Sequence, residues 1–427
     1  MEGVSFMLLL KGGYVYDGAS GGISDLLIEN GKIAAVSQDI EATDGMQVLD
    51  VTGLGVAPGL VDIHVHFRDP GFEAKEDIMT GAAAAAAGGI TTCCCMPNTS
   101  PVADSIETIK YIAEKAAKAP VNVLPYGAVT VGQKGEELTD FVALKVAGAI
   151  AFSDDGNPIQ NAELMRRAMR TAREYGRVLV SHCEDAEMVK NYAVNEGRVS
   201  AALKLPGRPA IAEEIMVARD IMLASETGAR VHIAHVSTAA SVDIIRKAKS
   251  AGVKITAETC PQYFTLTEDE VLKQGALARV NPPLRTASDI EAIIKGLKDG
   301  TLDAIVTDHA PHTRKEKALP LSEAPSGMIG LETSLALALT YLYHTGELSI
   351  EALVKLMSTK PAQILDIQAG TLKKGAIADV VVFDLNERWI VVPDHFKSKA
   401  RNTPFAGMEL RGKVKYTISR GEIVYKG

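Results

Sequence analysis

Between Pro58 and about residue 365 the chain alternates short apolar or β-branched runs with helical tracts, eight times over. Few folds accommodate that pattern. Strands separated by helices run parallel, because each helix carries the chain back to the edge where the previous strand began. The expected strands are Val61–Phe67, Ile90–Met96, Val121–Ala128, Ala149–Ser153, Val178–His182, Arg230–Val236, Lys254–Thr259 and Ala304–Thr307. Eight such units predict an α/β fold, a (β/α)8 barrel of the TIM type over residues 58–366. The flanks differ. Residues 5–57 read as short strands with Gly and Asp-Gly turns, and strands return after Gly370 as Asp379–Phe383, Trp389–Val392, Lys413–Ser419 and Glu422–Tyr425. Two β-rich ends pair most economically with each other, which predicts a small β-sandwich domain built from 1–57 plus 367–427.

Composition narrows the partners. Apolar residues make up 47% and charged residues 23% of the 427, an ordinary globular balance. The net charge of −8 comes with no basic stripe, which argues against nucleic acid and anionic membrane. The Phe6–Leu10 run is too short for a signal peptide and no stretch approaches a membrane span, so cytoplasm is expected. Five cysteines, an odd number, suit reduced thiols. Cys93-Cys94-Cys95 should point to alternate faces of a strand as small buried residues, and Cys183 and Cys260 have no partner at chelating spacing.

The chemistry gathers at strand exits. Gly59–Gly71 reads as a strand ending in the Arg68-Asp69-Pro70-Gly71 turn. His64 and His66, two apart, face the same way and can grip one metal ion, with a guanidinium just beyond. Asp154-Asp155 follow the fourth strand, and His182, His235 and Asp308 end the fifth, sixth and eighth. In an α/β barrel these ends converge on one face. Imidazoles and carboxylates without a thiolate suit Zn²⁺ or a similar divalent ion, and six ligands suit two ions sharing a carboxylate. Strand parity turns His232 and His235 opposite ways, which favours His235 as the ligand. His344 and His395 read as structural. One of His309 and His312 should meet the substrate, and the charged, proline-bearing segment 312–325 reads as a lid.

Taken together, the Gly59–Gly71 stretch, Met96-Pro97-Asn98-Thr99, Phe152–Gly156, Ser181–Asp185, His232–Thr238, Glu258–Pro261 and Thr307–His312 resemble dihydroorotase, more narrowly the bacterial type I enzymes of the amidohydrolase superfamily. The likeness continues through Gly370–Asp379 and the Ser398…Arg401-Asn402-Thr403-Pro404-Phe405 motif. It implies a di-zinc site. One Zn²⁺ would be held by His64, His66 and Asp308 and the other by His182 and His235. An aspartate of the Asp154-Asp155 pair would bridge them; the family pattern favours Asp155, and sequence alone does not orient the turn. It further implies that Arg68, Asn98 and His312 bind the substrate carboxylate, with His66 beside them. Asn281 would meet the ring, and the Ser326–Gly327 backbone its amide edge. Many relatives carry Phe where this chain has Ser326.

The implied reaction is reversible cyclisation of N-carbamoyl-L-aspartate to L-dihydroorotate in pyrimidine (UMP) biosynthesis, with Asp308 as general acid and base. A homodimer able to associate with aspartate transcarbamoylase is the implied assembly. Two alternatives differ visibly. Hydantoinases and allantoinases usually bridge their metals with a carboxylated lysine, where this chain has Ser153, and Lys145 is too far upstream to serve. A non-catalytic scaffold for the transcarbamoylase should have lost metal ligands, and this chain keeps the full set.

Overall fold

The computed structural model describes residues 7–17, 21–190 and 192–427. All eight expected strands form, most of them shorter than their apolar runs. They are Leu60–Val65, Ile90–Cys95, Asn122–Pro125, Phe152–Ser153, Leu179–Ser181, Val231–Ile233, Ile255–Thr259 and Ala304–Ile305. Several ladders end just before a site residue: at Val65 before His66, at Ser153 before Asp154 and at Ser181 before His182. Arg68, His235 and Asp308 take φ of 61°, 33° and 47°, values that an L residue holds only when its surroundings impose them.

The strands pair in parallel as two sheets, the first three in one and the remaining five in the other. Single parallel bridges meet at both seams, Gly127 with Phe152 and Val65 with His309. At the second seam His66 N donates to His309 O at 2.9 Å. Every residue of the first two strands is buried, as a parallel sheet covered on both faces requires. Cys93 and Cys95 join one hydrophobic cluster and Cys94 another, which is the alternation expected of that run. The alanine-rich tract forms the helix Ile78–Ala87, started by Asp77, whose side chain accepts from Thr80 N. Its small side chains let it lie close: a Cβ on Gly81 would sit 2.5 Å from the Phe67 ring.

Both chain ends contribute to one eight-stranded sheet. Its order is Glu422–Lys426, Glu409–Ser419, Val380–Ile390, Gly55–Pro58, Met7–Tyr16, Gly21–Glu29 and Lys32–Ser37, with Gln47–Asp50 branching from Met7–Tyr16. Two details depart from expectation. The anticipated Asp379–Phe383 and Trp389–Val392 strands are one strand, whose register slips between Asp384 and Arg388 to absorb the polar residues between them. Gly55–Pro58, too short to show a period, links the two ends by pairing with both Met7–Tyr16 and Val380–Ile390. Residues 1–6, including Phe6 of the apolar run, lie outside the described residues. Among those described, no helix is long and apolar enough to cross a membrane.

Candidate active site

Four of the histidines singled out by strand position meet around Asp155. Its Oδ1 lies 3.5 Å from His64 Nε2, 3.4 Å from His182 Nδ1 and 3.3 Å from His235 Nε2, while Oδ2 is 3.5 Å from His66 Nε2. Asp308 Oδ1 stands 3.0 Å from His66 Nε2 and 3.6 Å from His64 Nε2. Asp154, the other member of the pair, faces away. It accepts from Val129 N at 2.8 Å, Thr130 N at 3.1 Å and the Thr130 hydroxyl, and so fastens the loop after the third strand.

The donor set fits metal ions. His64, His66 and Asp155 form one group and Asp155, His182 and His235 a second, each with ligand atoms within 4.8 Å of one another. His64 Nε2 and Asp155 Oδ1 are buried yet have no hydrogen-bond partner, and an orphaned buried pair of this kind calls for an occupant. Burial opposes charge on Asp155, but His64 and the other two imidazoles hold its carboxyl well below the usual range. Burial likewise opposes charge on His64, and Asp155 with Glu258 overcomes it, raising the imidazole well above its ordinary value. His182 is lifted in the same way to about 9 by Asp155 and Glu184. A cluster this acidic holds protons where cations would sit, and a metal displaces them.

Sequence reasoning passed over the groups that hold these ligands. Glu258, fully buried in the strand Ile255–Thr259, takes His64 Nδ1 at 2.6 Å on one oxygen and His232 Nε2 at 3.0 Å on the other. A lone acid inside an apolar strand was its signal. His235, the histidine that parity favours, stands by Asp155 and His232 lies behind it on Glu258, although not for the reason of strand alternation. The strand ends at Ile233, so alternation does not reach His235, and both rings turn to the same network. Glu184 and Arg208 form a second support. Arg208 Nη1 reaches Glu184 Oε1 at 2.8 Å and also Asn281 Oδ1, and Asn281 Nδ2 donates to Glu184 Oε2 at 3.2 Å.

Beside the cluster lies a cavity of about 220 Å³ whose walls include Arg68, Asn98, Asn281, His312, Ser326 and Gly327, the whole expected substrate set. Asn98 Oδ1 is 2.9 Å from His66 Nδ1, which leaves its amide nitrogen for a ligand. Arg68 donates from Nε to Pro311 O at 3.4 Å. Burial, with Arg68 nearby, pulls His312 down to about 2 and keeps it neutral. Its Nε2 lies 2.8 Å from Ser326 O. Gly327 N donates to Arg279 O at 2.9 Å, so that amide is already engaged within the protein. His309 does not line the cavity; its Nε2 is 3.3 Å from the buried Glu76. The segment after His312 folds as a short helix, Arg314–Lys317, and is pinned by Lys317 Nζ to Pro325 O at 2.9 Å and by Arg279 Nη1 to Leu321 O at 2.5 Å.

The comparisons agree with this geometry. A family described as Dihydro-orotase-like matches residues 53–241. A protein named dihydroorotase from Acetivibrio thermocellus is 50% identical over 422 residues, covering 98% of this chain and 99% of its own. Another so named, from Pelotomaculum thermopropionicum, is 52% identical over 420 residues, covering 98% of each. The chain belongs to the dihydroorotase family. Among solved structures it is similar to the L-hydantoinase (dihydropyrimidinase) of Arthrobacter aurescens, with a TM-score of 0.89 at 28% identity over 99% of this chain and 96% of that one. The dihydropyrimidinase of Brevibacillus agri gives 0.87 at 26%, over 99% and 95%. The architecture is thus an α/β fold similar to that of the hydantoinases.

Proposed function

We propose that this chain is a metal-dependent dihydroorotase, interconverting N-carbamoyl-L-aspartate and L-dihydroorotate plus water as a step of pyrimidine biosynthesis. The observation that carries the reading is the guanidinium of Arg68 in one cavity with the His64, His66, Asp155, His182, His235 and Asp308 cluster. A ring amide bearing a carboxylate needs both features. The fold reading that goes with it is a single barrel, residues 58–366, closed through the two seam bridges. The sheet of both chain ends forms its companion domain, 1–57 plus 367–427.

His64, His66 and Asp308 would hold one Zn²⁺ and His182 and His235 the other, with Asp155 between them. When bound, such ions acidify water and polarise the scissile amide carbonyl. The protein supplies the rest. Arg68 grips the substrate carboxylate with its planar fork, assisted by the Asn98 amide, with His312 on the cavity wall beside them. Asn281, held by Arg208 and Glu184, meets the ring. Asp308 takes the proton of the attacking water and delivers it to the leaving ring nitrogen; in the synthetic direction it receives that proton from the ureido nitrogen.

The likeness to hydantoinase structures favours a second reading, hydrolysis of a cyclic amide without a carboxylate. One preparation assayed on dihydroorotate, hydantoin, dihydrouracil and allantoin separates the two. Turnover confined to dihydroorotate supports the first reading, and preference for a carboxylate-free ring refutes it.

A further inference from the structure

The Ser398…Phe405 motif lies outside the barrel strands and contributes no ligand to the cluster, yet its asparagine is 3% exposed and reaches the cavity wall. Asn402 Oδ1 accepts from His312 N at 3.1 Å. Its Nδ2 donates to Ala310 O and to Gly327 O, each at 3.1 Å. Its own carbonyl accepts from Ile329 N at 2.9 Å. The side chain thus uses an acceptor and two donors to join residues 310–312 to Gly327, and the residue's own carbonyl extends the join to Ile329. We propose that Asn402 is a positioning residue: it locks His312 and the Ser326–Gly327 backbone together as one wall of the cavity, the wall that the substrate carboxylate and ring must meet.

Two further observations make the join matter. The segments already touch at their limit, since a Cβ added to Gly327 would stand 2.7 Å from Ala310 Cβ and 3.1 Å from His312 Nε2. Neither segment can move closer to the other, and Asn402 stops them moving apart, so the wall they form has one shape. The strap that delivers Asn402 is itself anchored. Lys397 N donates to Glu332 at 2.8 Å, and Lys399 N at 3.1 Å and the Ser398 hydroxyl both donate to Glu76. Glu76 in turn meets His309, the neighbour of Asp308. A carboxamide is the one side chain of this size that offers two donors and an acceptor at fixed, separate atoms.

The assignment rests on the dihydroorotase reading, and its test keeps the two apart. Asn402→Asp preserves the acceptor for His312 N but sets an oxygen against the Ala310 and Gly327 carbonyls. Wild type and variant are compared for kcat and KM on dihydroorotate, for dihydroorotate binding by calorimetry, and for metal content and melting temperature. Since the cluster and Asp308 lie elsewhere, the expected result is KM and Kd raised about tenfold or more, with kcat within about threefold and metal content unchanged. Unchanged KM and Kd overturn the assignment, as does a kcat loss that tracks lost metal or a collapsed melting temperature. Should Asn402→Asp fail to fold, Asn402→Ser, which keeps a donor and an acceptor, must give the same split; if it also fails to fold, the residue is structural and the proposal falls. Wild-type protein that binds dihydroorotate without turning it over refutes the functional reading, and leaves the binding comparison to decide on Asn402.

Discussion

Glu258 lies 2.6 Å from His64 Nδ1, and that contact fixes which face of the imidazole is available. With Nδ1–H donated to that carboxylate, His64 Nε2 is the nitrogen left facing Asp155 and Asp308, where a metal ion would take it as a ligand. Burial disfavours a charged Glu258, but His64 and His232 hold it down to about 2, so it stays a carboxylate. Glu258→Gln keeps the shape and removes the charge. It should weaken metal binding about 10–100-fold, the usual effect of losing a ligand's supporting partner. Competition against a chromophoric chelator measures this, and equal affinity in the two proteins would mean that packing alone orients His64.

Asp308 combines a strained backbone, φ 47°, with a carboxylate 3.0 Å from His66 Nε2. It is the group placed to move protons between water and the ring nitrogen. Asp308→Asn should cost about 10²–10⁴-fold in kcat, the range for a lost general acid–base. Far-ultraviolet circular dichroism should stay that of the wild type. Activity within a few-fold of wild type would remove Asp308 from the proton path.

Arg68 brings to the cavity a fixed positive charge that distinguishes an acid-bearing ring from a neutral one. Arg68→Met retains the stem and deletes the fork. The loss of a charge-assisted pair should raise KM for dihydroorotate about tenfold to hundredfold while the melting temperature holds. An unchanged KM would place the carboxylate elsewhere in the cavity.

What the sequence disclosed follows from the range of each interaction. His64 and His66 were legible because a strand repeats every two residues, and Asp308 because it ends an apolar run. The same rule chose His235 over His232, as the structure places them, although the strand had already stopped at Ile233. Cavity-wall contacts were out of reach for a different reason. Arg208 meets Asn281 across 73 residues and Asn402 meets His312 across 90, and no local period marks either pair. Glu258 stood between these cases, an acid within five strand residues whose partners were both histidines already noticed.

Lys317 makes the segment after His312 sensitive to pH. It is 7% exposed and donates to Arg279 O and Pro325 O. Burial, reinforced by Arg279 and countered by Glu316, pulls it from 10.5 down to about 7. Between those two values the unfolded chain carries a proton that the folded chain lacks, so stability contributed by this site rises with pH across that window. Below about 7 both states are protonated, and the full cost of the buried charge is present. Lys317→Met removes the titration. The melting temperature of wild type relative to this variant should therefore climb steadily from about pH 7 to about pH 9, and be flat below that range. Scanning calorimetry of both proteins across the range reads the difference directly. A difference independent of pH would show that Lys317 stays charged in place, its ammonium satisfied by the carbonyls that surround it.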